Sequence, residues 1–176
     1  MKMLTVAALI CTIMALTIAD APPEAKIQND QTAEADLVKR IFWCSYGWKK
    51  INGRCFRYVP TRLRWVDAEK TCQAMGGNLA SVHTYGEYRK IQMMIIGASH
   101  VYRPVWIGGS DAQQENVWLW SNGRQFNYRN WCYGQPNNFK GKQNCLTMNS
   151  PVTARRCWND DFCYRRKPSV CVKNRW

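Results

Sequence analysis

The sequence contains little histidine, few acidic residues and, after residue 19, no long apolar run. Only two histidines are present, without a close pair of Cys-x2-Cys units, which argues against a zinc site. No later segment is apolar enough to cross a membrane. The chain also lacks a plausible set of nucleophile, base and orienting residue, so we do not expect an enzyme.

The shortage of acids leaves a strongly basic chain. Residues 41–176 hold 21 Lys/Arg against seven Asp/Glu, a formal charge of +14. Such a surface favours polyanionic partners such as acidic glycans, bacterial lipopolysaccharide, phospholipid headgroups or nucleic acid. The alternative is that the solvated charge only aids solubility.

The N-terminal part of the chain has the features of a secreted protein. A basic start, a short apolar run and the small residue Ala19 predict a signal peptide over residues 1–19, with a buried helix as the alternative. Residues 20–40 predict a propeptide or flexible linker, because they hold two prolines, no apolar period and a final Lys39-Arg40 pair. We therefore expect a folded domain over residues 41–176 of a secreted, extracellular product, for which nucleic acid is not an expected partner.

Cysteine usage agrees with secretion. Nine cysteines are present, and Cys11 falls in the predicted signal peptide. The remaining eight predict disulfides, because an even number of cysteines in a secreted chain usually forms bridges.

Periodicity and turn residues predict two helices among several short strands. Asn52-Gly53 suits the positive backbone angles of a tight turn, so residues 44–58 predict a hairpin. Apolar spacings of three and four predict a helix over Thr61 to Met75, and Thr84-x-x-Glu87 is a capping box that begins a second helix. Without alternating strand–helix units, this is an α+β fold. Further strands are predicted at 79–82, 105–109, 117–120, 145–148, 157–158 and 169–172.

Residues 131–163, the long loop, combine four cysteines with a polar, amide-rich sequence. Irregular segments of this length in compact domains are usually functional or disordered. Cysteine and aromatic residues argue against disorder. We therefore predict a rigid, disulfide-stapled binding loop.

Several motifs follow one another over residues 44–176: Cys44 and Cys55, Trp65-x-x-Ala68-x-x-x-Cys72, Gly77-x-Leu79-Ala80-Ser81, Trp106-Ile107-Gly108, Trp118-x-Trp120, and Trp158-Asn159-Asp160 with Cys163 and Cys171. In this order they resemble the C-type lectin-like domain. Within that family, the extra pair Cys132 and Cys157 makes the sequence similar to fish type II antifreeze proteins and galactose-type lectins. Antifreeze members usually have a further disulfide, and Ala112 and Asn144 stand at its two positions here.

The resemblance implies the C-type lectin-like fold, with two helices, short antiparallel sheets and a long stapled loop. It also implies three disulfides, and the two remaining cysteines would then close the long loop. The implied pairs are Cys44–Cys55, Cys72–Cys171, Cys145–Cys163 and Cys132–Cys157.

Sugar-binding members of this family hold calcium at the loop and the Trp-Asn-Asp strand, and the ion coordinates two sugar hydroxyls. Only Asp160 among the matching positions is charged, and ligand charge largely sets calcium affinity, so a calcium site here is expected to be weak. The amides on both sides of Pro136 predict neither mannose nor galactose. The implied calcium and carbohydrate ligands are Gln135, Asn137, Gln143, Asn159 and Asp160, with Asp161 as a further candidate for calcium.

Two aromatic residues flank this site. Tyr133 is the candidate for stacking on a sugar face, whereas Trp131 matches a buried aromatic position of the family. We expect a secreted lectin-like protein that binds microbial or acidic glycans in innate defence. The alternatives are an ice-binding protein of the type II antifreeze kind and a protein-binding module that has lost sugar binding.

Overall fold

The computed structural model describes residues 44–151 and 156–173. The predicted signal peptide, the predicted propeptide or linker and the expected start of the domain at residue 41 lie outside these residues. The described chain contains two α-helices and eight short strands joined in one mixed sheet. The predicted α+β class is therefore confirmed. The strands are β1 Lys49–Ile51, β2 Arg54–Leu63, β3 Asn78–Leu79, β4 Val105–Ser110, β5 Leu119–Trp120, β6 Cys145–Met148, β7 Asn159–Asp161 and β8 Lys167–Lys173, and the helices are α1 Trp65–Ala74 and α2 Tyr85–Ser99.

The sheet brings distant parts of the chain together. Its strand order is β1-β2-β8-β4-β6-β7, with β3 on β8 and β5 on β4. All these pairs are antiparallel except β4 with β8. Strand β8, close to the end of the described chain, thus lies between β2 and β4, and β7 of the long loop forms one edge.

The N-terminal hairpin forms as predicted. Asn52 and Gly53 take positive φ angles of 47° and 79°, which a tight turn between twisted strands requires. Strand β2 continues to Leu63, which pairs with Lys167 of β8. Helix α1 therefore begins four residues later than the predicted Thr61, since sheet pairing overrides the local helical pattern.

Helix α2 begins at the predicted capping box. Thr84 Oγ1 accepts the backbone N–H of Glu87 at 3.1 Å, and Glu87 Oε2 accepts the backbone N–H of His83 at 2.9 Å. The first bond satisfies an amide that the first helical turn leaves without a partner, and the second ties the residue before the cap, His83, to that turn. The predicted apolar face is confirmed, and its four members are at most 8% exposed: Tyr88, Ile91, Met94 and Ile95.

Two predicted strands are longer than expected, β4 by one residue and β8 by three, and three others have shifted or shorter bounds. In place of the predicted strand 79–82, only Asn78 and Leu79 (β3) pair with β8. In place of the predicted strand 117–120, only Leu119 and Trp120 (β5) pair with β4. Trp158 makes one isolated bridge to Trp131, and the regular strand follows it as β7. Strand bounds depend on pairing with a neighbouring strand, which periodicity along one segment does not report.

Four disulfides stabilise the fold, and all four pairings implied by the resemblance are confirmed. Cys72–Cys171 joins α1 to β8 across 99 residues of sequence. Closing a loop of this size contributes about 4–5 kcal/mol in the chain-entropy model. The described residues hold no helix that is long and apolar enough to span a membrane.

Candidate ligand-binding loop and family

The long loop is fastened to the sheet at its first residues. The disulfide Cys132–Cys157 brings the two Cα atoms to 5.0 Å. Beside it, the backbone N–H of Cys132 donates to the oxygen of Trp158 at 2.9 Å, and the N–H of Trp158 donates to the oxygen of Asn130 at 2.8 Å. Two short strands, β6 and β7, lie within the long loop and pair with each other, with Leu146 of β6 opposite Asp160 of β7.

A cluster of aromatic rings packs around Trp158 of the long loop. Trp158 is fully buried, and four rings pack around its indole with centroids 5.5–5.9 Å away. Trp131 is one of these rings, partly buried against the main core, which agrees with its expected core position. The other three rings are Trp120, Phe126 and Tyr128.

Asp160 fixes the turn that follows Gln135-Pro136. Its side chain is fully buried, and the peptide bond between Gln135 and Pro136 is cis. The backbone N–H groups of Asn137 and Asn138 donate to Asp160 Oδ1 at 3.2 Å and to Oδ2 at 2.6 Å. Burial raises the pKa of the Asp160 carboxyl above its usual range, whereas the two N–H groups act in the opposite direction. The carboxylate is thus an internal brace for the loop.

Gln143 closes the next turn in the same way. Its Oε1 accepts the backbone N–H of Phe139 at 2.9 Å, and its own backbone N–H donates to Asn138 Oδ1 at 3.0 Å. Lys140, inside this turn, takes a left-handed φ of 61°. The side chain of Gln143 is buried, so it holds the shape of the loop from inside.

The other predicted ligands lie around this brace with different exposures. Gln135 is partly buried, and its Oε1 has no hydrogen-bond partner among the described residues. Asn137 is exposed. Asn159 is partly buried and directs its Nδ2 at the carbonyl oxygen of Asp160. Tyr133 is 95% exposed, so its ring is available to a ligand.

Calcium requires six to eight oxygen ligands, and the observed donors do not fit this requirement. Both carboxylate oxygens of Asp160 and the amide oxygen of Gln143 face backbone N–H groups, which present positive partial charge where a cation would sit. Two buried amide oxygens of the loop lack a hydrogen-bond partner among the described residues, Gln135 Oε1 and Asn144 Oδ1, and two neutral oxygens are too few for an ion. Across residues 44–151 and 156–173, no group of three or more His, Cys, Asp or Glu side chains could hold a metal.

Asp161 has a different set of partners from Asp160. Arg165 Nη1 lies 2.9 Å from Asp161 Oδ1, and Lys167 Nζ lies 2.7 Å from Oδ2. Asp161 is 5% exposed and also accepts the backbone N–H of Phe162. Its oxygens are therefore engaged away from the predicted calcium ligands.

Sequence reasoning did not single out Asn138. This residue takes a left-handed φ of 40°, accepts the N–H of Gln143 and donates Nδ2 to the carboxylate of Glu115. Asparagine tolerates left-handed backbone better than most residues. The doubled Asn137-Asn138 after proline was the available signal for a tight turn.

Comparison with known proteins places this geometry in a family. Residues 61–173 match the Lectin C-type domain model. Ladderlectin of Oncorhynchus mykiss is 36% identical over 99% of this chain and 95% of its own length. The type-2 ice-structuring protein of Hemitripterus americanus is 37% identical over 97% of this chain and 98% of its own. Galactose-specific lectin nattectin of Thalassophryne nattereri is 37% identical over 74% of this chain and 80% of its own.

Solved structures show the same architecture. The herring type II antifreeze protein superposes with a TM-score of 0.68 and 36% identity, over 74% of this chain and 98% of that protein. The chain therefore belongs to the C-type lectin domain family. Within that family its relatives include both lectins and type II antifreeze proteins, as the sequence motifs indicate.

Proposed function

We propose that this protein is a secreted, non-enzymatic lectin of innate defence that binds carbohydrate through the long loop without calcium. The observation that carries the proposal is the brace at Asp160, which fixes the turn after the cis proline through two backbone N–H groups. In this arrangement hydrogen bonds supply the order that a metal supplies in calcium-dependent members. A ligand site that is already ordered loses less conformational entropy on binding.

The proposed carbohydrate contacts are Tyr133, Asn137 and Gln135. The exposed ring of Tyr133 offers an apolar face to a sugar, and its hydroxyl offers a hydrogen bond. The exposed amide of Asn137 both donates and accepts hydrogen bonds, as sugar hydroxyls do, whereas Gln135 has a buried Oε1 and offers its Nε2 as a donor. Asp160, Gln143 and Asn159 support the loop from inside or partly inside. The lectin relatives support carbohydrate as the ligand class.

The test is retention on immobilised mannose, galactose and lipopolysaccharide, first with calcium and then with a chelator. The full chain is expressed in animal cells and purified from the medium, so that secretion is tested as well. We expect retention on at least one of these ligands, unchanged by the chelator. Retention that disappears in chelator would contradict calcium independence, and no retention on any ligand would contradict the lectin proposal.

A matched pair of variants locates the contact. Tyr133→Ala is expected to weaken retention on immobilised mannose or galactose at least about fivefold, because loss of a central aromatic contact typically costs more than 1 kcal/mol. Tyr46→Ala removes another fully exposed tyrosine, outside the long loop, and should leave retention unchanged. Equal retention of both variants would exclude Tyr133 as a contact.

Ice binding is the second candidate, favoured by the similarity to the Hemitripterus americanus protein and to the herring structure. The exposed Lys140 and Lys142 of the long loop count against it, because strongly hydrated ammonium groups do not match an ice face. Microscopic measurement of ice-crystal growth in a solution of the purified protein tests ice binding directly. Growth arrest together with failure on every glycan would replace the lectin proposal with this one.

A further inference from the structure

A second concave surface lies outside the long loop, between the N-terminal hairpin and helix α2. It consists of two adjoining cavities of about 540 Å³ and about 460 Å³, which share Asn52 at the hairpin turn. We call it the hairpin–helix groove. Each cavity falls within the usual range of about 300–1,000 Å³ for small-ligand sites. None of its described lining residues belongs to residues 131–163.

The smaller cavity is lined by cations of both elements. Lys49 and Lys50 come from β1, and Arg89 and Lys90 come from α2. No carboxylate is among the described residues of this lining. Lys49 lies on the same face of β1 as the buried Ile51, so it borders this surface together with Arg89 and Lys90 of α2. Cations from two elements around one concave surface concentrate the electrostatic field there and attract anions.

The larger cavity adds Arg54, His83 and Arg124, with Glu87 as the one carboxylate among its described lining residues. Glu87 is 3% exposed, and its Oε2 accepts Arg54 Nη2 at 2.6 Å and the backbone N–H of His83 at 2.9 Å. Its Oε1 accepts Arg54 Nε at 3.2 Å. Because internal donors already engage both oxygens, Glu87 offers little repulsion to an incoming anion.

The groove is held in place by both of its walls. The disulfide Cys44–Cys55 closes the segment that carries β1. Ile51 of β1 is buried in the same core cluster as the apolar face of α2. Lys90 Nζ donates to Asn52 Oδ1 at 2.9 Å, which links the helix to the hairpin turn. Arg89 Nη1 donates to Gln92 Oε1 at 2.8 Å. Arg89 and Lys90 are therefore positioned before a ligand arrives.

The remaining lining selects among anions. Met93, 56% exposed, presents an aliphatic surface beside the cations. The described lining residues include no Phe, Tyr or Trp. Binding of single-stranded nucleic acid normally relies on aromatic rings that stack on bases, so the groove is better suited to anionic groups carried on a saccharide.

We propose that the hairpin–helix groove binds a chain of sulfated or phosphorylated sugars, as a second site separate from the long loop. Lys49, Arg89 and Lys90 contact the sulfate or phosphate groups, and Met93 contacts the sugar carbons. The same chemistry occurs in sulfated glycans of animal tissue and in the phosphorylated core saccharide of bacterial lipopolysaccharide. The two sources are separated by experiment.

The test measures affinity of the purified full chain for a heparin hexasaccharide and, in a second arm, for a lipid-free phosphorylated core oligosaccharide. The variant Lys49→Gln/Arg89→Gln/Lys90→Gln is compared with Lys70→Gln/Arg103→Gln/Arg129→Gln. All six residues are exposed, and each variant loses three positive charges. We expect at least a tenfold loss in the groove variant and about a twofold loss in the control, with a shallower salt dependence only in the former.

The outcomes are distinct. Binding in either arm with the expected selectivity supports the groove, and the arm that binds identifies the source. Equal losses in the two variants would overturn the proposal in favour of diffuse surface charge, and no binding in either arm would overturn it outright. Stronger binding of a single-stranded oligonucleotide of equal charge would also overturn it.

If the triple variant does not fold, Arg89→Gln alone is compared with Arg103→Gln. Tyr133→Ala should retain anionic-glycan binding, so failure of the loop site and failure of the groove are distinguishable.

Discussion

The long loop presents amide side chains and an exposed tyrosine around a buried carboxylate, whereas the hairpin–helix groove presents cations of β1 and α2 beside an aliphatic side chain. Each surface has its own disulfide, Cys132–Cys157 for the loop and Cys44–Cys55 for the hairpin. Neither disulfide joins the two surfaces. The fold can therefore support two chemistries that are adjusted independently, one neutral and directional and the other electrostatic.

The largest expected effect comes from opening one disulfide at a time. Cys132→Ser/Cys157→Ser should abolish retention through the long loop and leave anionic-glycan affinity within about twofold. Cys44→Ser/Cys55→Ser should abolish anionic-glycan binding in the groove and leave retention through the long loop within about twofold. In the chain-entropy model the sequence separations of 25 and 11 residues correspond to losses of about 3–4 and about 3 kcal/mol.

Urea unfolding and both binding assays check this prediction. Urea unfolding first establishes that each variant is folded at the assay temperature. Parallel loss of both activities in either folded variant would show that the two surfaces are coupled, and the comparison between them would fail.

A smaller effect is expected from the brace in the long loop. Asp160→Ala removes the acceptor of two backbone N–H groups, and leaving such donors without partners costs about 1–3 kcal/mol. Retention of glycan through the long loop should fall at least tenfold, while the affinity of the groove for anionic glycan stays constant. Asp160→Asn keeps one acceptor oxygen, so it should lose less than the alanine variant.

These two variants are compared by glycan retention in chelator and by thermal unfolding. Unchanged retention in Asp160→Ala would show that the loop does not need the brace. Retention that requires added calcium in the wild type would assign Asp160 to a metal instead.

The smallest effect concerns pH, and it should appear only in the groove. Burial, followed by the positive charge of Arg54, lowers the pKa of His83 below its ordinary value. His83 is therefore mainly neutral at neutral pH. A bound anion favours the imidazolium form, so binding takes up a proton and affinity should rise as the pH falls into the range where the His83 imidazole becomes protonated.

Isothermal titration of the heparin hexasaccharide at several pH values between about 5 and 8 measures this effect. We expect a rise of a few-fold toward low pH in the wild type and a flatter profile in His83→Gln. Retention through the long loop should not follow this profile. A wild-type profile that the substitution leaves unchanged would place the titrating group elsewhere.

Local sequence signals predicted much of the frame. Asn52-Gly53 forms its turn from backbone preference alone, and Thr84 with Glu87 begins α2 through hydrogen bonds over three or four residues. Contacts within one short segment decide such features. The bound of α1 was predicted less well, because pairing of Leu63 with Lys167 on β8 extends the preceding strand.

The candidate sites depended more on distant contacts. Position in a motif identified Asp160 and Gln143, but the motif did not indicate that their oxygens would accept loop N–H groups. The positive charge was evident from composition, whereas its concentration between β1 and α2 required the packing of Ile51 against the helix. Composition has no spatial information.

The sequence by itself determined the α+β class, the hairpin, the second helix, the family resemblance and the disulfide pairs that the resemblance implied. Only the tertiary structure decided the direction of each polar side chain: Asp160 toward backbone amides, Asp161 toward Arg165 and Lys167, and Glu87 toward Arg54. The physical reason is that hydrogen bonds and ion pairs weaken steeply beyond a few ångströms. Their partners are set by the packing of segments that lie far apart in the chain.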